Sequence, residues 1–556
     1  MARSIKLRPW QKDALEQLDA ASQDNFLAVA TPGSGKTTFA LTAACQNLAA
    51  NPRRRLVVVV PTQHLKVQWE GAAAAFGLHL DPSWSPSDGR LPSDMHGVIT
   101  TYQQVASSSP ILRGLASDAF VIFDEIHHAA DDRAWGEAIR YAFEPASKRL
   151  SLSGTPFRSD TQAIPFIDYH LDEAKPDYTY GYREALADGG VVRPVYFPRI
   201  NGHMEWMGND GSLHSHSFED SLDSTHASQR LRAALSLEGE WLPSVLAQAH
   251  ERLCDIRLDH PDAGGLIIAM DQDHARGIAE LLMRRHRIHA IVATSDDPSA
   301  SSHIARFARG TEPWIVAVRM ISEGVDIPRL RVGVFATNTT TELFFRQAVG
   351  RLVRWTKGLR SQEAYLYIPD DARLEQKANE IAIERNHSLA KISRPEDDMR
   401  LSDETDLLED RDALEHEGDD PRLALFSVIS AVAVGAPRLA KPSVGFMSSE
   451  THLDHPSHDD AALTITLAPL PPLAGERMSN SEGTKSTLVA TRREQKQQLR
   501  NANSDRVKEI ARITGWSHAQ VNGELNRLAG LQKINEATIS QLESRLNHAN
   551  RWLSRI

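Results

Sequence analysis

The chain has 556 residues, enough for three or four domains with cores of their own, and ordinary charged and hydrophobic fractions of 24% and 41%. Its net charge of −11 argues against a uniformly basic nucleic-acid coat but leaves room for a local basic groove. The two cysteines, Cys45 and Cys254, lie far apart without metal spacing, which argues against a disulfide framework or zinc ribbon and fits a reducing cytoplasm.

Met1 to Lys6 shows no apolar signal-peptide core. In Leu7-Arg8-Pro9-Trp10-Gln11, the Gln11 amide donates and accepts at once, which suits the reading of an adenine edge. An apolar run, Phe26 to Val29, then leads into Ala30-Thr31-Pro32-Gly33-Ser34-Gly35-Lys36-Thr37, and a helical run from Thr38 to Ala49 follows. Strand, glycine-rich turn and helix in that order make a phosphate-binding loop. Backbone N–H groups and the positive helix end point at one place. Gly33 and Gly35 let the backbone close around phosphate, Lys36 reaches the β- and γ-phosphates, and the Thr37 hydroxyl binds Mg²⁺. Ala30 stands where the usual pattern has Gly.

Leu56 to Val60 reads as a strand buried on both faces, followed by Pro61-Thr62-Gln63 and a helical run through Gln68-Trp69. Gly97 to Tyr102 is another strand ending in hydroxyls. Such strand ends can bond a sugar-phosphate backbone without reading bases. Ala119 to Phe123 runs into Asp124-Glu125-Ile126-His127-His128. Two carboxylates at the end of a buried strand need a partner or a metal. Asp124 is expected to hold Mg²⁺, Glu125 to polarise the attacking water and His127 to couple the site to the neighbouring domain. Leu150 to Ser153 is a further strand, followed by the polar turn Gly154-Thr155-Pro156-Phe157-Arg158. Alternating strands and helices predict a doubly wound parallel sheet, with ligands at the carboxyl ends of its strands.

Tyr178 to Tyr196 reads as a bridge to a second domain, and the Gly-, Ser- and His-rich stretch Asn201 to Ser228 as a mobile insertion. A second αβ pattern starts near Gly264, with strands at 266–270, 291–293, 314–318 and 332–336 and a helix from Asp273 to Arg284. It carries Ser322-Glu323-Gly324-Val325-Asp326 and Gln347-Ala348-Val349-Gly350-Arg351-Leu352-Val353-Arg354. Arg351 and Arg354, one turn apart on a helix, would project from one face as arginine fingers. The run Leu423 to Val434, too short to span a bilayer, reads as a buried element. Pro395 to Asp420 is an acidic linker, and Ala436 to Gly483 is expected to be poorly ordered. The last seventy residues are basic and helical. They suit docking on DNA or on a protein partner equally well.

Six motifs in order resemble the superfamily-two helicases and translocases across Leu7 to Asp370. Gln11 matches the adenine-reading motif, Ala30 to Thr37 Walker A, and Asp124 to His127 the DExH form of Walker B. Ser153-Gly154-Thr155 matches motif III, Glu323 to Asp326 motif V, and Gln347 to Arg354 motif VI. His127, Ser153-Gly154-Thr155 and Ser322 to Pro328 look more like the DNA-directed branch, which includes restriction-enzyme motor subunits and excision-repair helicases, than the DEAD-box RNA helicases.

The resemblance implies an α/β fold of two tandem RecA-like domains, each a doubly wound parallel sheet, plus a small C-terminal helical domain. The expected boundaries are 1–185, a bridge and insertion at 186–250, 251–394, a linker at 395–485, and 486–556. It implies ATP and Mg²⁺. Gln11, Thr31, Pro32, Gly33, Ser34, Gly35, Lys36, Thr37, Thr38 and Asp326 would hold nucleotide, and Thr37 and Asp124 the metal. Lys36, Glu125, Gln347, Arg351 and Arg354 would be catalytic, and His127, Ser153, Thr155 and Gly324 would couple hydrolysis to movement. The expected function is a cytoplasmic ATP-dependent DNA helicase with no membrane association. The alternatives are a double-stranded DNA translocase in a defence, restriction or repair complex, an RNA helicase, and an ATP-gated clamp. Residues 486–556 would be the seat of any protein partner.

Overall fold

Leu56–Val60 is five consecutive aliphatic residues, each fully buried, as a central strand covered on both faces requires. It lies in a seven-stranded sheet in the order Tyr178–Tyr180, Asn25–Ala30, Lys148–Ser153, Phe120–Phe123, Leu56–Val60, Gly97–Thr101, Leu80–Asp81. From Asn25–Ala30 to Leu80–Asp81 every neighbouring pair is parallel. Their carboxyl ends therefore share one rim. The computed structural model describes residues 3–85, 91–130, 133–154, 163–170, 173–208, 211–294, 296–297, 299–318, 327–359, 362–393, 427–435, 438, 463–470, 473 and 491–556. They divide into two compact units, Met1–Val29, Gly35–Thr179 and Ala461–Ile556 in one, Ala30–Ser34 and Tyr180–Asp460 in the other.

The first unit is completed by distant chain. Arg3–Leu7 pairs antiparallel with Leu463–Leu467, inside the stretch that composition marked as poorly ordered. Residues 491–556 form three helices, Arg492–Thr514, His518–Leu528 and Ile539–Leu553. Thr491, Ser517 and Thr538 cap their N-termini, and Gly515, in the left-handed region, ends the first. Val507, Ile510, Val521, Leu525 and Ala549 pack between them. Buried Arg545 is tied to amide oxygens of Asn503, Asn522 and Asn526 at 2.9, 2.6 and 2.9 Å.

Two cations of the basic opening of this bundle are turned inward. Lys496 Nζ meets Asp94 Oδ1 at 2.6 Å and Arg493 meets Glu70 Oε2 at 3.0 Å. These two cations, which composition offered to DNA, therefore satisfy carboxylates of the same unit.

The second unit holds its own parallel sheet, Val195–Tyr196, Ala364–Pro369, Leu330–Ala336, Gly264–Ala269, Trp314–Ala317, Ala290–Ala293. The described part of Asn201 to Ser228, expected as a mobile insertion, forms regular elements. Gly202–Met207 and Leu213–Ser217 form a hairpin, and helix Ser224–Ala234 follows. Alternate residues Gly202, Met204 and Trp206 are buried, so the hairpin has a core face of its own. Its third strand, Ser427–Ala433, lies at the edge of that sheet with Ile429 and Val432 exposed. The described part of Leu423 to Val434 is thus one-sided, not the buried element its apolarity suggested. Pro395 to Asp420 lies outside the described residues.

Candidate active site

At the rim of the first sheet, strand Asn25–Ala30 passes through the glycine-rich turn into helix Lys36–Ala50. Gly33 and Gly35 have φ of +84° and +96°, a backbone other residues rarely adopt. The Ser34 N–H donates to the Thr31 carbonyl at 3.1 Å, which tightens the turn. Gln11 braces it. Its Nε2 donates to the Gly35 carbonyl at 2.9 Å, and its Oε1 accepts the Arg8 N–H at 2.8 Å. A Cβ on Gly35 would stand 2.6 Å from that Nε2.

Two carboxylates follow strand Phe120–Phe123, in different surroundings. Glu125 Oε1 accepts from Lys36 Nζ at 2.7 Å, and Oε2 from the Gly154 N–H at 2.9 Å. His127 Nδ1 is 3.7 Å from Glu125 Oε2 and 3.4 Å from Ser153 Oγ. Burial alone would raise the Glu125 carboxyl. The charges of Lys36 and His127 and these hydrogen bonds outweigh it and hold the group well below the usual carboxylate range. Asp124 goes the other way, raised first by burial and then by the charge of Glu125. Its Oδ2 accepts the Trp69 indole N–H at 2.8 Å, and its backbone carbonyl accepts the Tyr102 hydroxyl at 2.9 Å. One carboxylate is thus kept ionised, while its neighbour gains from an added cation. Glu125 also has φ of +49°, an uncommon conformation of the kind that gathers at functional positions. The Thr37 hydroxyl and the Asp124 carboxylate are hard oxygen donors, the set Mg²⁺ takes when substrate phosphates complete its shell.

In the second unit, helix Glu342–Leu352 carries Gln347 and Arg351. The helix stops there. Val353 is its C-cap, and Arg354 lies beyond it in an antiparallel bridge with Val192. The two arginines are therefore not on one helical face as expected. The Arg354 carbonyl, past the last helical turn, accepts instead from the guanidinium of Arg193, a side chain that also bonds the Pro328 carbonyl at 2.8 Å. Within this unit Gly350 lies against Pro32, where an added Cβ would come within 2.6 Å of Cγ. Arg354 Cγ is 3.6 Å from the Cβ position of Gly33. Thr155, Gly324 and Asp326 lie outside the described residues.

The structure thus brings Gln11, Gly35, Lys36, Asp124, Glu125, His127 and Ser153 together in one unit, and Pro32, Gly33, Gly350 and Arg354 in the other. Trp69 and the Gly154 N–H had no assigned role. For Trp69 the available signal is chemical: a buried indole N–H needs an acceptor. Among the described residues no helix is long and apolar enough to cross a membrane.

Residues 4–158 match the family described as type III restriction enzyme, res subunit, and residues 248–356 the helicase conserved C-terminal domain. An uncharacterized protein of Mycobacterium tuberculosis (strain H37Rv) is 47% identical over 395 residues, covering 70% of this chain and 65% of that protein. The chain thus spans just under two thirds of that curated relative's length. The DNA 3'-5' translocase XPB2 of Sulfurisphaera tokodaii is 24% identical over 63% of this chain and 79% of its own. Among solved structures, the type ISP restriction-modification enzyme LlaBIII bound to DNA is similar at a TM-score of 0.47 and 15% identity, over 70% of this chain and 30% of that one.

Proposed function

The chain belongs to the superfamily-two helicase and restriction-subunit-like family, and we propose that it is an ATP-dependent DNA helicase that couples hydrolysis to translocation and strand separation. The observation that carries the reading is the Lys36–Glu125 contact at the sheet rim, with His127 beside the same carboxylate and Ser153 in contact with His127. In the proposed reaction the backbone of residues 31–37 and Lys36 bind the ATP phosphates, and Gln11 addresses the base. Glu125, held ionised, orients the attacking water and takes its proton. Arg351 and Arg354 stabilise the charge that develops on the transferred phosphoryl, and Gln347 helps to place the attacking water. Mg²⁺, held by Thr37 and Asp124, would supply charge neutralisation at the phosphate oxygens. His127, Ser153, Thr155 and Gly324 pass the state of the site to the groups that grip the nucleic-acid backbone. Opening one base-pair step costs roughly 1.4 kcal/mol, within reach of a hydrolysis-driven cycle.

A second reading, translocation on duplex DNA without strand separation, draws support from the match of residues 4–158 to the restriction res subunit. ATPase rates with single-stranded, duplex and forked DNA and with RNA, beside strand- and triplex-displacement assays, test both. The expected result is turnover raised by DNA and opening of the fork. Triplex displacement without fork opening favours the second reading. Stimulation by RNA alone means an RNA helicase, and turnover indifferent to every nucleic acid means an ATP-gated clamp.

A further inference from the structure

We infer that Trp69 is a positioning residue for Asp124, and that the C-terminal helical bundle, docked on the helix that carries Trp69, sets that position. The inference rests on the role given to Asp124 above. Helix Gln63–Ala75 faces two ways at adjacent residues. Trp69, almost wholly buried, donates its indole N–H to Asp124 Oδ2 at 2.8 Å. A bond to one carboxylate oxygen fixes the rotation of the group about Cβ–Cγ, and so the direction of the other oxygen. Glu70, the next residue, accepts from Thr491 Oγ1 at 3.1 Å and Arg493 Nη1 at 3.0 Å. Thr491 is also the N-cap of the bundle's first helix, so Glu70 is bonded to that helix end itself.

A second anchor prevents the bundle from rotating about that contact. Asp94, fully buried, accepts from Lys496 Nζ at 2.6 Å and from the Ile539 N–H at 3.0 Å, so it holds two helices of the bundle at once. Inside the bundle, the bonds of Arg545 to Asn503, Asn522 and Asn526 join all three helices. A displacement of this body therefore pulls on Glu70, and through one rigid helical turn on the indole that orients Asp124. Whatever loads the bundle would then tune the metal-binding carboxylate at a distance.

The test uses the full chain and Mn²⁺ in the presence of ADP, with metal affinity read directly by electron paramagnetic resonance and ATPase kcat and KM read in parallel. Trp69→Phe keeps the ring and removes the donor. It should lower Mn²⁺ affinity by about tenfold, the usual effect of losing a group that orients a metal ligand, and reduce kcat more than it raises KM. Arg493→Ala, half-exposed and outside the core, should give a smaller loss of the same kind. The double variant should be no worse than Trp69→Phe alone. Asp124→Asn is the control. If it abolishes Mn²⁺ affinity while Trp69→Phe leaves it unchanged, the positioning role is wrong and the site assignment stands. If losses from Trp69→Phe and Arg493→Ala simply add, the link through the bundle is wrong. If Asp124→Asn itself binds Mn²⁺ normally, the proposed role of Asp124 fails.

Discussion

Lys496→Ala removes the cation from a carboxylate that has no contact with solvent. The two side chains are 4% and 0% exposed, with Nζ and Oδ1 2.6 Å apart. Removing one partner of a buried pair costs about 3–5 kcal/mol, because the remaining charge is left uncompensated. The Ile539 N–H still donates to Asp94 Oδ2, which places the loss near the lower figure. About 3 kcal/mol is roughly a 150-fold change in the equilibrium for releasing the bundle. Hydrogen exchange in the intact chain reads it out: amides of helix Arg492–Thr514 should lose protection by about that factor while the sheet core keeps its own. Asp94→Asn with Lys496→Met removes both charges at once and should recover much of the protection. Unchanged exchange in Lys496→Ala would show that this pair does not anchor the bundle.

Glu125→Gln should still bind ATP while turnover falls by at least ~10²-fold, measured in single-turnover and nucleotide-binding assays. Wild-type turnover would remove Glu125 as the base. His96 is buried, and burial first, then the charges of His79, Arg492 and Arg55, lower it from the ordinary value of 6.5 to about 3. Between those values the unfolded chain binds a proton that the folded chain refuses. The associated stability is present above about pH 6.5 and is lost at about 1.4 kcal/mol per unit as pH falls toward 3. Urea midpoints from pH 7 to 5 should fall in the wild type, with the slope reduced by about one proton in His96→Asn. Equal slopes would refute the assignment. Gly97→Ala would place Cβ 1.7 Å from the Leu56 carbonyl oxygen, a clash with backbone that no rotamer relieves. The expected loss is about 3 kcal/mol or more. A variant melting like the wild type would show that the strand can shift at little cost.

Local patterns carried the strand–turn–helix and strand–carboxylate elements. The glycine-rich turn, the carboxylate pair after a buried strand and the branched run at 56–60 each depend on neighbours within a few residues, so their spacing alone is diagnostic. Two misreadings have local causes as well. The many Gly, Ser and His residues of 201–228 suggested a mobile insertion and masked the alternation of Gly202, Met204 and Trp206, which the structure buries on one face. The helix carrying Gln347 continued in pattern through Arg354, but the chain turns at Val353 into a bridge with Val192, a partner about 160 residues earlier. What stayed invisible was long-range. Nothing near Trp69 names Asp124, and nothing near Lys496 names Asp94, because a hydrogen bond between separated segments leaves no periodic trace.

The pairing of Arg3–Leu7 with Leu463–Leu467 has a consequence for biosynthesis. Arg3–Leu7 finds its mate only after more than four hundred further residues have been translated, at roughly 5–20 residues per second. For that interval, about half a minute or more, the nascent chain carries an unpaired strand, an aggregation hazard that a holding chaperone would blunt. A ribosome stalled before residue 463 would therefore leave a chain that contains Lys36 and Glu125 yet holds Arg3–Leu7 without its partner strand.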